Sequence, residues 1–261
     1  MAKLKHFKTL KIKHFVLFVT IVVLTACNED LKNLKKITAT QIPVASAYKE
    51  NATVKNFITP YRNRVNQMLD STLAYAPYTI SKTDGAYNTT AGNLMADIML
   101  SQANPIFNKR TGKNIDFALM NHGGIRAVIS KGKVSARTAY EVMPFENNIS
   151  VVKLHGTSVL QMINYIITSK RPHPLSGIQV ILNKDNSIKT ILIQGKDFNV
   201  EQHYFIATSD YLVSGGDDMV FFKDAISVTN TDYKIRNAII DYFSKVDTLR
   251  PTIDDRFYKI K

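Results

Sequence analysis

The sequence predicts a compact α/β domain of the mixed α+β kind, and two observations support this fold class. A chain of 261 residues with 45% hydrophobic content can bury a sizeable core. Segments with the apolar spacing of helices are mixed with continuous apolar strand segments, and the two types do not alternate strictly. No internal repeat is visible, so we assign residues 49–261 to one domain.

The first 26 residues have the pattern of a secretory leader. Five lysines and no acidic residue lie between Met1 and His14, and an apolar run broken only by threonines extends from Phe15 to Ala26. This run of twelve residues is too short to cross a bilayer as a helix, which takes about twenty residues. We therefore interpret residues 1–26 as a signal peptide.

The leader ends in Leu24-Thr25-Ala26-Cys27, and Cys27 is the only cysteine in the chain. This ending resembles a bacterial lipobox, in which the cysteine becomes the lipidated first residue of the mature protein. The alternative is a buried thiol that occurs there by chance. Residues 27–48 are polar and lysine-rich, which is typical of a tether. The expected location is the bacterial cell envelope, lipid-anchored on the periplasmic or surface face of the outer membrane.

The body of the chain begins with two predicted helices. Apolar residues between Ala52 and Ala76 recur at three- and four-residue spacing, which predicts one long amphipathic helix with Pro60 at its start or at a kink. Thr89 or Thr90 can cap a second helix, expected to end before Pro105. The other predicted elements are strands at 78–80, 114–120, 149–154, 178–182, 188–193 and 204–208 and helices at 137–142, 157–167 and 232–246.

Composition and missing motifs exclude several functions. The formal charge is +13, and removing the five lysines of the leader leaves 29 basic against 21 acidic residues, near +8, which suits a phosphate-bearing ligand or an anionic surface. No basic stripe interleaved with aromatic residues indicates a nucleic acid polymer as partner. The histidines outside the leader are isolated, and the sequence contains no nucleophile motif and no phosphate loop. We therefore expect no catalytic residue, no metal and no cofactor in this chain.

Three loops carry features of a binding site. In the first, Asn121–Arg126, Gly123 and Gly124 let backbone N–H groups approach an anion closely. The Arg126 guanidinium can donate two parallel hydrogen bonds to a phosphate or a carboxylate. A plain turn after a strand is the alternative for this loop.

The second loop places Phe145 directly after a proline, and the third places Tyr211 six residues before Asp217, across a diglycine. The alternative for Phe145, taken alone, is that it is an aromatic residue of the hydrophobic core. The acidic third loop has the alternatives of a solvated turn or a weak calcium loop.

Four ordered blocks together resemble a known family. The segments GNLMAD (Gly92–Asp97), NHGGIR (Asn121–Arg126), PFENN (Pro144–Asn148) and SDYLVSGGDD (Ser209–Asp218) are similar in order and spacing to the C-terminal, substrate-binding domain of the 5'-nucleotidase and UDP-sugar hydrolase family. The resemblance covers roughly residues 75–245. It implies layered mixed sheets with flanking helices, and it makes the predicted helix 52–76 similar to the family's interdomain linker.

The resemblance also implies a role for each matching residue. In this family two aromatic rings sandwich the nucleobase, asparagines contact the base, an aspartate binds the ribose and an arginine binds phosphate. In that order, the matching positions are Phe145 and Tyr211, Asn121 and Asn147, Asp217, and Arg126.

The chain also departs from the family pattern. Further phosphate-binding arginines of many relatives correspond to Ser81 and Gly85, with only Lys82 nearby, and His122 replaces a small residue, which would narrow the pocket or add a donor. The metallophosphatase domain that precedes this one in two-domain members has no counterpart here. The resemblance therefore implies one half of a split nucleotidase, with divalent metals and catalytic residues in a separate metallophosphatase chain. The alternative is a lipid-anchored nucleotide- or nucleoside-binding protein without catalysis.

Overall fold

The computed structural model describes residues 2–25, 34, 36–43 and 48–260. Two compact units divide the chain, Met1–Ala52 and Thr53–Lys261. In the first unit, helix α1 (Ala2–Thr25) covers the predicted leader. Among the helices in the described ranges, none combines the length and apolar character that a membrane span requires. Cys27 and much of the predicted tether lie outside the described residues, so both stay predictions.

The predicted helix 52–76 is wrong at its C-terminal end. Helix α2 (Ala52–Asp70) stops, and strand β1 (Thr72–Ala76) pairs antiparallel with strand β3 (Gly132–Ser135). In β1 the side chains of positions 74 and 76 are buried and that of position 75 is exposed, which is the two-residue period of a strand. An apolar run this short fits both the helical and the strand period, and pairing with β3 decides that it forms a strand. Pro60 lies inside α2 rather than at its start.

Helix α3 (Thr90–Thr111) begins where predicted, with the Thr89 hydroxyl accepting a hydrogen bond from the Gly92 N–H at 3.1 Å. It does not end before Pro105 but continues for about two further turns to Thr111, and the left-handed backbone of Gly112 (φ 71°) ends it. Proline removes one helical hydrogen bond. The burial of Phe107 two residues later explains why the helix nevertheless continues.

A mixed sheet of five strands in the order β10-β4-β9-β2-β5 is the centre of the second unit. Strand β2 runs parallel to β9, and β4 runs antiparallel to β9. Both faces of the sheet are covered: Val151 of β4 packs into a core with α3 and α7 (Ile235–Phe243), and Val152 packs into a second core with α5 (Gly156–Ser169). This double burial explains the continuous apolar runs in the sequence. The strands are β2 (Phe117–Leu119), β4 (Asn148–His155), β5 (Leu175–Ser176), β9 (His203–Ser209) and β10 (Ser227–Lys234).

A second sheet of four strands in the order β11-β6-β7-β8 packs into the same core as α5. Its strands are β6 (Ile178–Leu182), β7 (Ile188–Ile193), β8 (Lys196–Asp197) and β11 (Phe257–Lys259), and the remaining helices are α4 (Ala136–Val142), α5 (Gly156–Ser169), α6 (Asp210–Val213) and α7 (Ile235–Phe243). The predicted fold class, a mixed α+β domain with layered sheets and flanking helices, is confirmed.

Two further predicted elements differ from the structure. The predicted strand 78–80 is a single bridge between Ile80 and Ile129. The predicted helix 232–246 is shorter at both ends: it ends at Phe243, and residues 232–234 belong to β10, a polar edge strand that the apolar pattern does not reveal. The buried Thr231 hydroxyl donates to the Ile149 carbonyl at 2.7 Å, which ties this strand to β4.

Candidate functional site

The sheet topology brings the three predicted binding loops to one edge. Strands β2 and β9 are parallel neighbours, so the loops that follow them leave the sheet at the same edge. Strand β4 runs the other way, so the loop that precedes it arrives at that edge too. A cavity of about 280 Å³ lies between the loops. All eight predicted binding residues line it, together with Met120, Met143, Ser209 and Ile235; the eight are Asn121, Gly123, Gly124, Arg126, Phe145, Asn147, Tyr211 and Asp217.

Asp217 is held in place from three directions. Its carboxylate accepts hydrogen bonds from Asn121 Nδ2 at 2.7 Å and from the Tyr211 hydroxyl at 3.1 Å. Its backbone carbonyl accepts from the Tyr165 hydroxyl at 2.6 Å. These bonds support a left-handed backbone at Asp217 (φ 52°), which is uncommon outside glycine. Each carboxylate oxygen keeps a free lone pair, so the group can still accept hydrogen bonds from a ligand.

Two aromatic side chains line the cavity while remaining accessible to solvent. Phe145 is 40% exposed and Tyr211 is 44% exposed. Gly216 packs against the Tyr211 ring so closely that a Cβ atom there would lie 2.4 Å from it. A glycine at position 216 is therefore needed for the position of this ring.

The two glycines of the first loop have different surroundings. A Cβ atom at Gly124 would lie 2.8 Å from Asn121 Oδ1, so this glycine makes room for the asparagine side chain. At Gly123 the nearest atom would be 3.4 Å away, which is ordinary contact. Gly124 therefore shapes the loop, and Gly123 leaves backbone accessible at the cavity.

Two cations, Arg126 and Lys82, lie close together at this loop. Arg126 Nη1 donates to the Gly123 carbonyl at 3.1 Å, and its guanidinium carbon lies 5.9 Å from the centre of the Phe145 ring. Lys82 Nζ donates to the Ile125 carbonyl at 2.6 Å. Burial and, secondarily, the charge of Arg126 lower the pKa of Lys82. Within the described ranges neither cation pairs with a carboxylate, so an anion here would relieve their repulsion.

The loop before α3 cannot hold an arginine at position 85. A Cβ atom on Gly85 would lie 2.0 Å from the Asn88 carbonyl oxygen. The neighbouring Ser81 hydroxyl shares a hydrogen bond of 3.0 Å with the Thr83 hydroxyl. The basic side chain that this loop contributes is Lys82, which donates to the Ile125 carbonyl. The sequence marked Lys82 only as a nearby basic residue.

His122 contacts a second histidine rather than lining the cavity, so the prediction that it narrows the pocket or adds a donor there was wrong. Its backbone N–H donates to His173 Nδ1 at 3.3 Å. Burial, followed by the nearby His122, lowers the pKa of His173 to about 4. Burial and the charge of Lys82 likewise lower the pKa of His122. The two neutral histidines support the first loop through this hydrogen bond, and no sequence motif predicted their contact.

Arg236 was also missed by sequence reasoning. It is 4% exposed and lies in the first turn of α7. Its guanidinium contacts the loop that carries Phe145, including an ion pair with Glu146. A hydrogen bond from Lys234 and, as the second-largest cause, one from Arg236 lower the pKa of Glu146 to about 2. An arginine that lies 90 residues along the chain from Glu146 gives no signal in a single sequence.

A cation-binding cluster is not evident in the part of the chain that the structure describes, where no three His, Cys, Asp or Glu side chains come together.

The family model for the 5'-nucleotidase C-terminal domain matches residues 71–224. The chain belongs to the 5'-nucleotidase C-terminal domain family. The match covers the stretch from β1 to the segment after Asp217, which contains all three binding loops. The resemblance identified from the four sequence blocks is confirmed.

Individual relatives agree with this assignment. The chain is 25% identical over 207 residues to a 5'-nucleotidase of Vibrio cholerae, an alignment that covers 76% of this chain and 35% of the relative. It is 22% identical over 203 residues to Protein UshA of Escherichia coli, covering 77% and 36%. The chain therefore spans about a third of the length of these curated relatives.

Solved structures share the fold. A 5'-nucleotidase precursor from Thermus thermophilus superposes with a TM-score of 0.66 at 22% identity, covering 80% of this chain and 43% of that one. The NAD nucleotidase of Haemophilus influenzae superposes with a TM-score of 0.61 at 16% identity, covering 81% and 42%. At such identities these superpositions establish the fold alone.

Proposed function

We propose that this chain is the substrate-binding half of a split 5'-nucleotidase. It binds a nucleotide, and a separate metallophosphatase chain supplies the divalent metals and the attacking water for hydrolysis of the phosphoester. The observation that carries the proposal is the convergence of three loops, from distant parts of the chain, on one cavity of about 280 Å³.

The cavity offers complementary chemistry for each part of a nucleotide. Phe145 and Tyr211 present ring faces on which a base can stack, whatever its identity. The Asn147 side chain has no hydrogen-bond partner among the described residues, so its amide is available for a base edge. Asp217 can accept from the two hydroxyls of a ribose.

The unpaired cations support a phosphate rather than a neutral group at the Arg126 side of the cavity. A guanidinium binds phosphate oxygens through a planar fork, and an ammonium adds charge without fixed geometry. Lys82 therefore supplies part of what the family's further arginines supply in many relatives. This assignment favours a nucleotide over a nucleoside as the ligand.

One feature supports a separate catalytic partner. Helix α2, directly before the matched family domain, exposes the apolar side chains of Phe57, Tyr61 and Met68, at 70%, 65% and 68%. We propose this apolar surface of α2 as the docking site for the metallophosphatase chain.

A second candidate is a lipid-anchored nucleotide- or nucleoside-binding protein without catalysis. One observation favours it: all eight predicted binding residues line one cavity of this chain, so the chain itself offers contacts for each part of a nucleotide. Both candidates place the protein in the bacterial cell envelope, anchored through Cys27, with no nucleic acid polymer as partner.

Calorimetric titration of residues 45–261 with AMP, adenosine and UDP-glucose tests the binding site. We expect binding that is lost in Phe145→Ala, because the stacking face is removed. Wild-type protein that binds none of the three ligands would contradict the proposal.

The split-enzyme proposal requires a second experiment. The protein is mixed with a metallophosphatase chain that carries D-x-H, G-N-H-E and G-H-x-H motifs, in the presence of a divalent metal, and AMP turnover and co-elution are measured. Phe57→Ser/Met68→Ser should abolish both while AMP binding persists, and Ile226→Ser, an exposed apolar position elsewhere, is the matched control. Absence of both association and turnover would leave the binding-protein alternative.

A further inference from the structure

A buried arginine lies beneath the loop that carries Phe145. Arg236 is 4% exposed, although charged side chains are rarely buried unless they are paired. It is the second residue of α7. The contacts of this side chain therefore require an explanation.

The Arg236 guanidinium contacts three consecutive residues of the loop. Its Nη1 atom donates to the Pro144 carbonyl at 3.2 Å and to the Phe145 carbonyl at 3.3 Å. Its Nη2 atom donates to the Glu146 carboxylate. The guanidinium carbon also lies 4.1 Å from the centre of the Tyr140 ring. Such a planar set of donors holds both the position and the orientation of the loop backbone.

The residues next to Arg236 hold the remainder of the same loop. Lys234 Nζ donates to the other carboxylate oxygen of Glu146. The Ile235 backbone N–H donates to the Asn147 carbonyl at 3.0 Å. The start of α7 thus contacts every residue from 144 to 147, which includes both predicted base-contacting residues of this loop.

The Phe145 ring itself has little support from the core. It is 40% exposed and belongs to neither hydrophobic core, so core packing contributes little to its orientation. The backbone of the loop therefore has a large share in placing the ring, and Arg236 holds this backbone. Holding a binding group in place before the ligand arrives reduces the entropy that binding would otherwise cost.

We propose that Arg236 is a positioning residue that holds the Phe145 ring at the cavity in the absence of ligand. The inference rests on the proposed function, in which this ring stacks on a nucleobase. Arg236 itself does not line the cavity. Its effect on a ligand is therefore transmitted through the loop backbone.

The composition of the chain provides a direct test. The sequence contains no tryptophan, so Phe145→Trp introduces a single indole fluorophore at the position of interest and keeps a stacking ring. Emission maximum, anisotropy and acrylamide quenching are measured without ligand, with Arg236 intact and with Arg236→Lys or Arg236→Met. Arg110→Met is the matched control, because Arg110 also donates to a backbone carbonyl and a carboxylate but lies outside the cavity lining.

Both Arg236 substitutions should increase quenching and lower anisotropy, since lysine keeps the charge but lacks the planar fork. Adenosine affinity should fall by about tenfold, the usual effect of losing hydrogen bonds to a charged group. Arg110→Met should leave fluorescence and affinity unchanged. Unchanged fluorescence in folded Arg236→Met would overturn the proposal.

A variant that keeps the buried arginine guards against a folding defect. Circular dichroism and thermal unfolding show whether each protein is folded. If Arg236→Met is not folded, Glu146→Gln is measured instead, because it removes only the exposed partner of the arginine. The fluorescence of this variant should shift in the same direction by a smaller amount, and no shift would overturn the proposal. If no variant binds a nucleotide or nucleoside, the proposed function fails, yet the ligand-free fluorescence still decides the role of Arg236.

Discussion

Acidification should destabilise this protein through the buried His173. Burial and the neighbouring His122 lower the pKa of His173 to about 4, below its ordinary value of 6.5. Between these two values the unfolded chain binds a proton that the folded chain does not, so the free energy of unfolding falls as pH falls. At about 1.4 kcal/mol per pKa unit, the loss is about 2 kcal/mol by pH 5 and about 3 kcal/mol below pH 4.

The assay is urea unfolding between pH 7 and pH 4.5 for wild type and His173→Gln. The charge of Asp217 raises the pKa of His173, whereas the charge of Arg171, like that of His122, lowers it. Because other titrating groups are common to both proteins, the difference between them isolates His173. His203→Gln, at an exposed histidine, serves as control. Equal pH dependence of wild type and His173→Gln would refute the reasoning.

Three further predictions concern the cavity and the anchor. Gly216→Ala should displace the Tyr211 ring and weaken adenosine binding by about tenfold, as loss of one stacking face does; calorimetry should give the same loss for Tyr211→Ala, and unaltered binding would show that the ring is not used. Lys82→Met should lower AMP affinity by about tenfold while adenosine affinity stays constant, because only the phosphate loses a charge-assisted contact; Lys133→Met is the surface control, and a parallel loss for both ligands would contradict a phosphate role. Cys27→Ser should release the protein from membranes in cell fractionation, since the lipid would have no attachment site; unchanged fractionation would eliminate the lipobox interpretation.

The sequence predicted those elements whose apolar pattern is set by a single environment. Strands β6 and β7 have the predicted bounds, and α4 and α5 begin one residue before the predicted positions. The hydroxyl of Thr89 caps α3 as its position indicated. In each case the local pattern and the tertiary environment favour the same structure, so the sequence alone is sufficient to predict the element.

The sequence failed where the tertiary environment overrides local preference. Residues 72–76 continue the helical spacing of α2, yet pairing with the partner strand β3 places them in a sheet. Pro105 should end α3, but the helix continues past the buried Phe107. Strand β10 is polar and at the edge of its sheet, so no burial pattern marks it.

The residue types of the binding loops were readable from the sequence, because glycines beside a guanidinium, a ring after a proline and an acid after a diglycine are recognisable in a linear order. Only the tertiary structure decided how they meet: the parallel pairing of β2 with β9 brings Asn121 within 2.7 Å of Asp217 across 96 residues. It also decided which other residues support them: Lys82, which the sequence marked only as a nearby basic residue, and His173 and Arg236, for which no motif predicted a role. The physical reason is that a hydrogen bond or a charge acts over a few ångströms in space, and distance along the chain does not report this proximity.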